Sequence, residues 1–459
     1  MLEEMQGFRL SPQQRHLWQL QQVNSLPYRC QCAVLIEGVI DIEILKQALE
    51  QVVNRHEILR TNFRCLPEMS IPLQVITNNN ITWGENYDLS SYSHHQQEEL
   101  LNSLLQKLNQ QPFDFQYGCQ LQLSIITLSS AKYILAICLP SLCADAASLN
   151  ILVREISRSY AACLQGREPD NEPLQYADLA EWQNELLEGE DTEAGRDYWR
   201  KQNLAALTNF KLPWEQQITL QSTFQPQREA IAITSELLTQ LEILAQQYNS
   251  SLLQVLLVCW QILIWRITQQ SNVIVGINCD GRNYQELKDA IGLFAKYLPL
   301  NIKLEGERRF SEILSENRLE EIQKYQNYFT WENWEDREDL KYHYHFFPVC
   351  FEFLEAAAEY RVADIKFSVA RQQSCIDKFK IKLTCQHQGQ QLLAEFYYDS
   401  SLFNCEYIKI LSRQFQNLLL SAIAHPEVPI SKLEILTEIE KNSYFLRTIK
   451  LKKNTQIIC

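Results

Sequence analysis

Residues 133–149 read YILAICLPSLCADAASL, and this stretch decides how the whole chain is interpreted. The apolar run that ends at Leu139 is typical of a buried β-strand, and Pro140 closes it because proline has no backbone N–H for the next sheet hydrogen bond. A short elbow then leads to Asp145, a residue type preferred as the N-cap of a helix. Apolar residues recur at helical spacing after it, so the stretch predicts a strand, an elbow and a helix.

The segments on either side of the elbow extend this pattern. Two strand-like runs, 119–128 and 132–139, are separated by Ser129, Ser130 and Ala131 and predict a β-hairpin. The helix after the elbow carries one apolar face, formed by Leu149, Leu152, Ile156, Tyr160 and Cys163.

Both halves of the chain have the order helix, strands, helix, strands, without a repeated sequence. In the first half, helical spacing covers residues 41–54, with Asp41 as the predicted N-cap, and residues 174–202. In the second half we predict helices near 234–247, 251–267, 309–325 and 402–424, and strands near 228–233, 272–278, 346–353 and 377–398. This order predicts an α+β protein of two similar lobes.

The length of 459 residues allows two large cores. We expect an N-terminal lobe over residues 1–190, a C-terminal lobe over 191–436, and a tail or linker over 437–459. The longest apolar stretch, 252–267, contains Gln254 and is too short to span a bilayer, so it predicts a buried helix.

Composition narrows the class of partner. The chain has 42 Lys and Arg residues against 56 Asp and Glu residues, a net charge of −14, so nucleic acid and anionic membranes are not expected as partners. The 14 cysteines are scattered through apolar runs and form no Cys-x-x-Cys pair. This pattern favours reduced thiols in a cytoplasmic protein, with no metal site.

Five segments, taken in order, resemble one protein family. They are LSPQQRHLW (residues 10–18), RHEILRTNF (55–63), the elbow stretch, YADLAEW (176–182), and GRNYQEL followed by IGLFAKYLPL (281–300). They are similar to motifs of the condensation domains of nonribosomal peptide synthetases, and RHEILRTNF matches its motif at every specified position. The resemblance covers roughly residues 8–436.

This resemblance implies a fold, a reaction and a set of partners. The expected fold is two chloramphenicol-acetyltransferase-like lobes that form a V-shaped pseudo-dimer with a central tunnel. The tunnel would admit phosphopantetheine arms of donor and acceptor peptidyl carrier proteins, so that a donor acyl group is joined to an acceptor amine as an amide. No intrinsic cofactor is expected, and an adenylation domain or neighbouring synthetase modules are further partners that the resemblance suggests.

At the elbow the sequence departs from the family, whose signature is His-His-x-x-x-Asp-Gly followed by Ser. With Asp145 and Ser148 aligned, Pro140 and Ser141 stand where the two histidines should be, and Ala146 where the glycine should be. The second histidine is the family's catalytic residue. Ser141 is therefore the residue at the catalytic position, and we expect reduced amide formation.

A structural role at the site is expected for several other residues. The resemblance implies that Asp145, besides capping its helix, pairs with Arg282 of GRNYQEL and braces the elbow, and it extends the structural role to Ser148 and Arg60. Lys296 replaces a residue of the family's Asn-Thr pair, as does the tyrosine after it.

No other nucleophile or base is strongly favoured by the sequence. Cys143 is more typical of a buried thiol than of a nucleophile. His16 and His56 lie in motifs that the family uses for packing, and the pair His94-His95 lies in a polar segment; the alternating His343 and His345 are the best alternative base.

Three functional hypotheses follow. The first is a divergent condensation catalyst that works through positioning. The second is a non-catalytic module that docks carrier proteins or recruits a tailoring enzyme. The third is a transferase or hydrolase that carries an acyl group on Cys143 or Ser141. An open tunnel that reaches Ser141 would favour catalysis, whereas a tunnel plugged by Pro140 or Tyr297 would favour docking.

Overall fold

The computed structural model describes residues 6–22, 24–78, 81–118, 120–169, 172–189, 192–207, 210–217, 223–316, 318–331, 346–355 and 358–436. The predicted alternative bases His343 and His345 and the predicted tail, 437–459, lie outside these residues.

The helices lie close to the predicted positions in both halves of the chain. They are α1 (Pro12–Gln21), α2 (Ile42–Arg55), α3 (His94–Leu108), α4 (Ala146–Leu164), α5 (Tyr176–Glu188), α6 (Glu193–Lys201), α7 (Ser235–Gln247), α8 (Leu252–Thr268), α9 (Phe310–Leu314), α10 (Leu319–Tyr325) and α11 (Cys405–Ala424). The single helices expected over 174–202 and 309–325 are each divided into two, α5 with α6 and α9 with α10.

The strands form two large sheets and one small one. They are β1 (Arg29–Glu37), β2 (Thr61–Arg64), β3 (Leu73–Ile76), β4 (Thr82–Trp83), β5 (Tyr87–Asp88), β6 (Gln122–Ser129), β7 (Lys132–Pro140), β8 (Pro226–Ile233), β9 (Asn272–Cys279), β10 (Lys296–Lys303), β11 (Val349–Glu355), β12 (Tyr360–Val362), β13 (Ile365–Ser374), β14 (Ile381–Gln388) and β15 (Gln391–Asp399). The predicted hairpin is confirmed as β6 and β7, which pair antiparallel.

The first sheet is completed by strands from the distant end of the chain. Its order is β12-β13-β1-β7-β6-β4, with β5 also paired to β6. β1 lies between β7 and β13 and is antiparallel to both. Residues 360–374 fall in the predicted C-terminal lobe, 191–436, yet their strands join the sheet of the first lobe. The chain returns to the second sheet between β13 and β14, and we call residues 375–377, at the start of this return, the crossing segment.

The second sheet has the order β10-β9-β11-β14-β15-β8 and is built from residues after 225. Its central strand β11 runs parallel to β9 and β14, whereas the other pairs are antiparallel. Helix α8 packs against this sheet, and Trp260 on it is fully buried and donates its indole N–H to the Cys350 carbonyl. Mixed helices and sheets in two layered units give the α+β class that the sequence predicts.

Local sequence explains where the helices begin. Asp41 accepts hydrogen bonds from two backbone amides of α2, as predicted, and Ser251 begins α8 with a reciprocal capping box with Gln254. The predicted buried helix over 251–267 is confirmed, since most of its side chains are inaccessible. Within the described residues no single helix is long and apolar enough to cross a membrane, although the bent pair α7 and α8 together would pass on length and composition alone.

Candidate active site at the elbow

The elbow leaves the centre of the first sheet and turns within a few residues. β7 continues one residue further than predicted, to Pro140, which faces Arg29 of β1. The Ser141 amide then donates to the Tyr28 carbonyl at 3.1 Å, and the Cys143 amide donates back to the Pro140 carbonyl at 2.9 Å. Pro140 is accommodated because the ladder here ends, and the backbone amides that follow find partners in the turn.

Asp145 caps α4 and also binds Arg282 across the two lobes. Its Oδ1 accepts from the Ser148 amide at 2.8 Å. The guanidinium of Arg282 reaches Oδ1 and Oδ2 through two nitrogens at 3.0 Å each, and the two side chains are only 2% and 0% exposed. This bidentate geometry is the strong form of a carboxylate–arginine contact.

The surrounding amides complete the partners of this buried carboxylate. Oδ2 of Asp145 also accepts from the amides of Phe294 and Ala295, both at 3.0 Å. Burial alone would raise the pKa of Asp145, but the charge of Arg282 and these hydrogen bonds outweigh it and lower that pKa. The carboxylate is therefore ionised and fixed in place, which suits a brace and not a proton shuttle.

Ser148 connects the elbow to the loop before β10. Its Oγ lies 2.8 Å from Asp145 Oδ1 and 2.7 Å from the Gly292 carbonyl, and it accepts from Arg282 at 2.9 Å and from the Gly292 amide at 3.0 Å. We call Asp145, Arg282 and Ser148 the interlobe clamp. Every polar group of this cluster that faces the protein interior has a charged or backbone partner.

Two residues that the sequence did not single out hold the clamp in place. The hydroxyl of Tyr176, from the YADLAEW segment, donates to the Leu293 carbonyl at 2.5 Å and lies 2.8 Å from Ser11 Oγ. Its ring packs so closely that a Cβ on Gly292 would lie 1.9 Å from a ring carbon, so only glycine fits there. Both residues lie in segments that match family motifs, and this is the one signal in the sequence that marks them. The distance between Tyr176 and Gly292 along the chain does not indicate that they are in contact.

Ser141 is enclosed. It is 0% exposed, its Oγ donates to the Cys375 carbonyl at 2.9 Å, and it lies 3.5 Å from the Cys30 thiol. Cys143 is buried as well. A nucleophile must meet its substrate, so neither side chain is placed to attack a thioester in this conformation.

Arg60 does not join the interlobe clamp, contrary to the role assigned from the sequence. It lies in a short 3₁₀ turn, Glu57–Arg60, and donates to the Thr77 carbonyl at 3.1 Å, with an ion pair of 3.5 Å to Glu57. These contacts connect the turn to the end of β3, so Arg60 stabilises local structure within the N-terminal lobe. The more buried charged contact of the same motif is His56 with Glu155, at 3.7 Å.

Two cavities lie on either side of residues 375–377, the segment whose Cys375 carbonyl accepts from Ser141 of the elbow. The interlobe cavity has a volume of about 900 Å³ and is lined by parts of β1, α3, β8 and β13, including Arg29, Gln31, Arg228, Gln373 and Cys375. No Asp or Glu is among its described lining residues. The α1 pocket, of about 50 Å³, is lined by α1, residues 293–297 and 329–331, Ile376 and Asp377.

The walls of the α1 pocket carry several titratable groups. His16 Nε2 lies 3.2 Å from Asp377 Oδ2. Lys296 lies at the start of β10, where burial lowers the pKa of its ammonium to about 8. Tyr297 lines the same pocket and is buried, which raises the pKa of its hydroxyl. In the part of the chain that the structure describes, no group of three or more His, Cys, Asp or Glu residues could hold a metal ion.

Comparison with known proteins gives one consistent family. The family model described as "Condensation domain" matches residues 5–444. Tyrocidine synthase 3 from Brevibacillus parabrevis is 25% identical over 431 residues, which cover 91% of this chain and 6% of that protein. Bacitracin synthase 1 from Bacillus licheniformis is 25% identical over 453 residues, 96% of this chain and 8% of that protein. The chain thus spans less than a tenth of the length of these relatives.

Solved structures share the fold at low sequence identity. The first condensation domain of the CDA synthetase has a TM-score of 0.80 at 15% identity, covering 94% of this chain and 99% of that one. The condensation domain of the monacolin K polyketide synthase MokA has a TM-score of 0.79 at 18% identity, covering 93% and 99%. The X-domain solved in complex with OxyB from teicoplanin biosynthesis has a TM-score of 0.74 at 20% identity, covering 95% and 98%. These likenesses confirm the predicted α+β, chloramphenicol-acetyltransferase-like fold.

Proposed function

Because the chain belongs to the condensation-domain family, we propose that it binds a donor acyl thioester and an acceptor amine, each tethered to a carrier protein, and joins them as an amide without using Ser141. The observation that carries this proposal is the pair of cavities that lie on either side of residues 375–377, the segment that Ser141 contacts. A reaction between two tethered substrates needs an approach from two sides, and cavities on opposite sides of one segment support this.

The larger cavity suits the donor arm. A phosphopantetheine arm is part of the substrate, and it carries amide groups that need hydrogen-bonding partners once they leave water. The interlobe cavity offers many side-chain amides for this purpose, among them Gln31, Gln225, Gln227 and Gln373. Its cations Arg29 and Arg371, with no acidic lining residue described, would also tolerate an acyl group that bears a carboxylate.

Positioning supplies enough rate for this proposal to hold without a base at residue 141. Correct orientation of two reactants is worth effective molarities of about 10⁵–10⁸ M, whereas a general base contributes about 10²–10⁴-fold. An α-amine with an ordinary pKa near 7.7–8.0 is roughly one-tenth neutral at pH 7 and can attack without prior proton removal. A hydroxyl acceptor could not, so we expect amides and not esters.

One observation favours a second function, that of a docking module. Ser141 is fully enclosed, so the group at the family's catalytic position cannot reach either cavity. The X-domain of teicoplanin biosynthesis, which was solved with OxyB bound, shows that a domain of this fold can dock another protein. On this alternative, the chain would bind carrier proteins or a tailoring enzyme and leave their substrates unchanged.

Single-turnover amide formation separates the two functions. Two carrier proteins would be loaded, one with acetyl, octanoyl or aminoacyl donors and one with a panel of proteinogenic amino acids, and the product followed by mass spectrometry with and without the domain. We expect amide at least 100-fold faster with the domain than in the mixture without it. Binding of loaded carriers without this acceleration would contradict condensation and support docking.

A further inference from the structure

His16 and Asp377 form a dyad in the wall of the α1 pocket. His16 Nε2 lies 3.2 Å from Asp377 Oδ2, and the two side chains are 17% and 7% exposed. The Trp331 ring stacks on the imidazole with centroids 5.9 Å apart, which restricts its rotation. When a carboxylate accepts from one ring N–H, the other nitrogen carries the lone pair, and this is how a carboxylate orients a histidine base.

Three walls of the pocket are connected directly to the elbow. On α1, Gln14 donates to the Leu142 carbonyl at 2.8 Å, and His16 lies half a turn further along. On the crossing segment, Cys375, which accepts from Ser141, precedes Asp377 by two residues. On the third wall, Ala295 both lines the pocket and donates to Asp145. The dyad is therefore fixed against the same elbow that the interlobe clamp braces.

We propose that the α1 pocket takes the acceptor amine and that His16 is the general base of amide formation, with Asp377 as its positioning residue. The inference rests on the proposed condensation activity and deepens it, because it assigns to helix α1 the proton transfer that residue 141 does not provide. The two residues of the dyad are 361 positions apart in the sequence. Only the lobe interface brings them together.

The chemical step balances with the groups at hand. The acceptor amine attacks the carbonyl carbon of the donor thioester, so a C–N bond forms and the C–S bond breaks. The nitrogen loses one proton to the free ring nitrogen of His16, and this proton is passed to the departing pantetheine thiolate or to water. The products are an amide and a free thiol, and His16 returns to its starting state.

The pocket contains one rival base. Besides His16 and Asp377, the titratable or charged groups among its lining residues are Arg15 from α1 and Lys296 and Tyr297 from β10. Arginine stays protonated and the buried tyrosine stays neutral at pH 7. The experiment must therefore distinguish proton transfer to Lys296 from proton transfer to His16.

The test compares substitutions of the full chain in the single-turnover assay. We expect His16→Gln to lower the rate of amide formation by about 10²–10⁴-fold, the usual worth of a general base, with carrier binding unchanged. Asp377→Asn should lower the rate while leaving KM unchanged, and the double variant should be no slower than His16→Gln because the two residues act as one unit. Free imidazole should restore part of the rate of His16→Gly, which a purely structural role would not allow.

A matched control is His387, which also meets carboxylates, Glu355 at 3.2 Å and Glu242 at 3.7 Å, but lines none of the cavities described here. His387→Gln should keep the wild-type rate. An unchanged rate in a folded His16→Gln variant would overturn the inference and leave the proposed function intact, as would a loss of activity confined to Lys296→Met. If the wild-type chain itself forms no amide, the proposed function fails first and the inference with it.

Discussion

Asp145 of the interlobe clamp and Ser141 belong to the same short elbow, yet they differ in charge and in their hydrogen-bonding partners. Asp145 is ionised, and its two oxygens are occupied by Arg282, Ser148 and two backbone amides that come from the other lobe. Ser141 is neutral, and its hydroxyl donates to a carbonyl of the crossing segment and lies 3.5 Å from the Cys30 thiol. The part of the motif that joins the lobes is thus complete, while the part that would face a substrate is closed.

On the proposed function, this difference would separate the geometry of substrate binding from proton transfer. The clamp needs charge and exact partners because an unpaired buried ion costs several kcal/mol. Position 141 needs only a side chain small enough to fit the buried space around it. A chain that keeps the first and loses the second retains the frame for two substrates and must find its base elsewhere or do without one.

The largest effect is expected on breaking the clamp. Arg282→Met leaves the buried Asp145 carboxylate without its cation, so the free energy of unfolding should fall by about 3–5 kcal/mol in urea denaturation at pH 7. The pair stabilises the fold above the ordinary pKa of aspartate, and its contribution is lost as the pH falls through the lowered pKa of Asp145. The difference in the free energy of unfolding between wild type and variant should therefore narrow as the pH falls below about 4.

The exposed pair Lys46 and Glu43, 2.8 Å apart on α2, provides the control for that experiment. Lys46→Met should change the free energy of unfolding by less than about 0.5 kcal/mol, since solvent screens the pair. If Arg282→Met lowered the free energy of unfolding no more than Lys46→Met, the ion pair of the interlobe clamp would not stabilise the fold as we expect.

A smaller effect of opposite sign is expected at Lys296, a half-buried cation with no ion pair to a described residue. Its pKa in the fold, about 8, is below the ordinary value of lysine, so the folded state is penalised wherever the ammonium is charged. Lys296→Met should stabilise the protein by about 2 kcal/mol below pH 8. The free energy of unfolding of the wild-type chain should rise toward that of the variant as the pH increases from 8 toward 10.5. If urea denaturation gave the same difference at every pH, the lowered pKa of Lys296 would be contradicted.

The smallest effect is expected at the closed position. Ser141→Ala removes one neutral hydrogen bond, so the free energy of unfolding should fall by only about 1 kcal/mol, and the rate of amide formation should stay within twofold of wild type. The same single-turnover assay measures the rate, and thermal denaturation measures the stability. A loss of rate of 100-fold or more without a loss of stability would show that Ser141 takes part in the chemistry after all.

Much of the local structure could be predicted because its causes lie within a few residues. The cap at Asp41, the hairpin of β6 and β7, and the buried helix α8 each follow from side-chain spacing and capping chemistry. The resemblance to condensation domains also led to the pairing of Asp145 with Arg282, which lie in direct contact at 3.0 Å. The breaks at α5/α6 and α9/α10 were missed, because the C-caps Gly189 and Ser315 end α5 and α9 without a proline to mark the position.

The long-range features could not be predicted in the same way. β12 and β13 complete the first sheet although they are encoded more than 200 residues after its other strands, and periodicity carries no information about which sheet a strand joins. Arg60 lies in a well-matched motif, yet its contacts serve the turn before β2 and not the clamp. The sequence indicated only a packing role for His16, because its partner Asp377 lies 361 positions later in the chain and no local pattern connects the two.

By itself, the sequence determined the family, most of the long helices, the hairpin of β6 and β7, and the presence of a serine at residue 141, because each of these is written in short runs of neighbouring residues. Only the tertiary structure decided that Ser141 is buried against Cys375, that two cavities lie on either side of residues 375–377, and that His16 faces Asp377. The physical reason is that burial and hydrogen bonding between lobes depend on which distant segments come into contact. That choice is made by the packing of the whole chain and not by any local pattern.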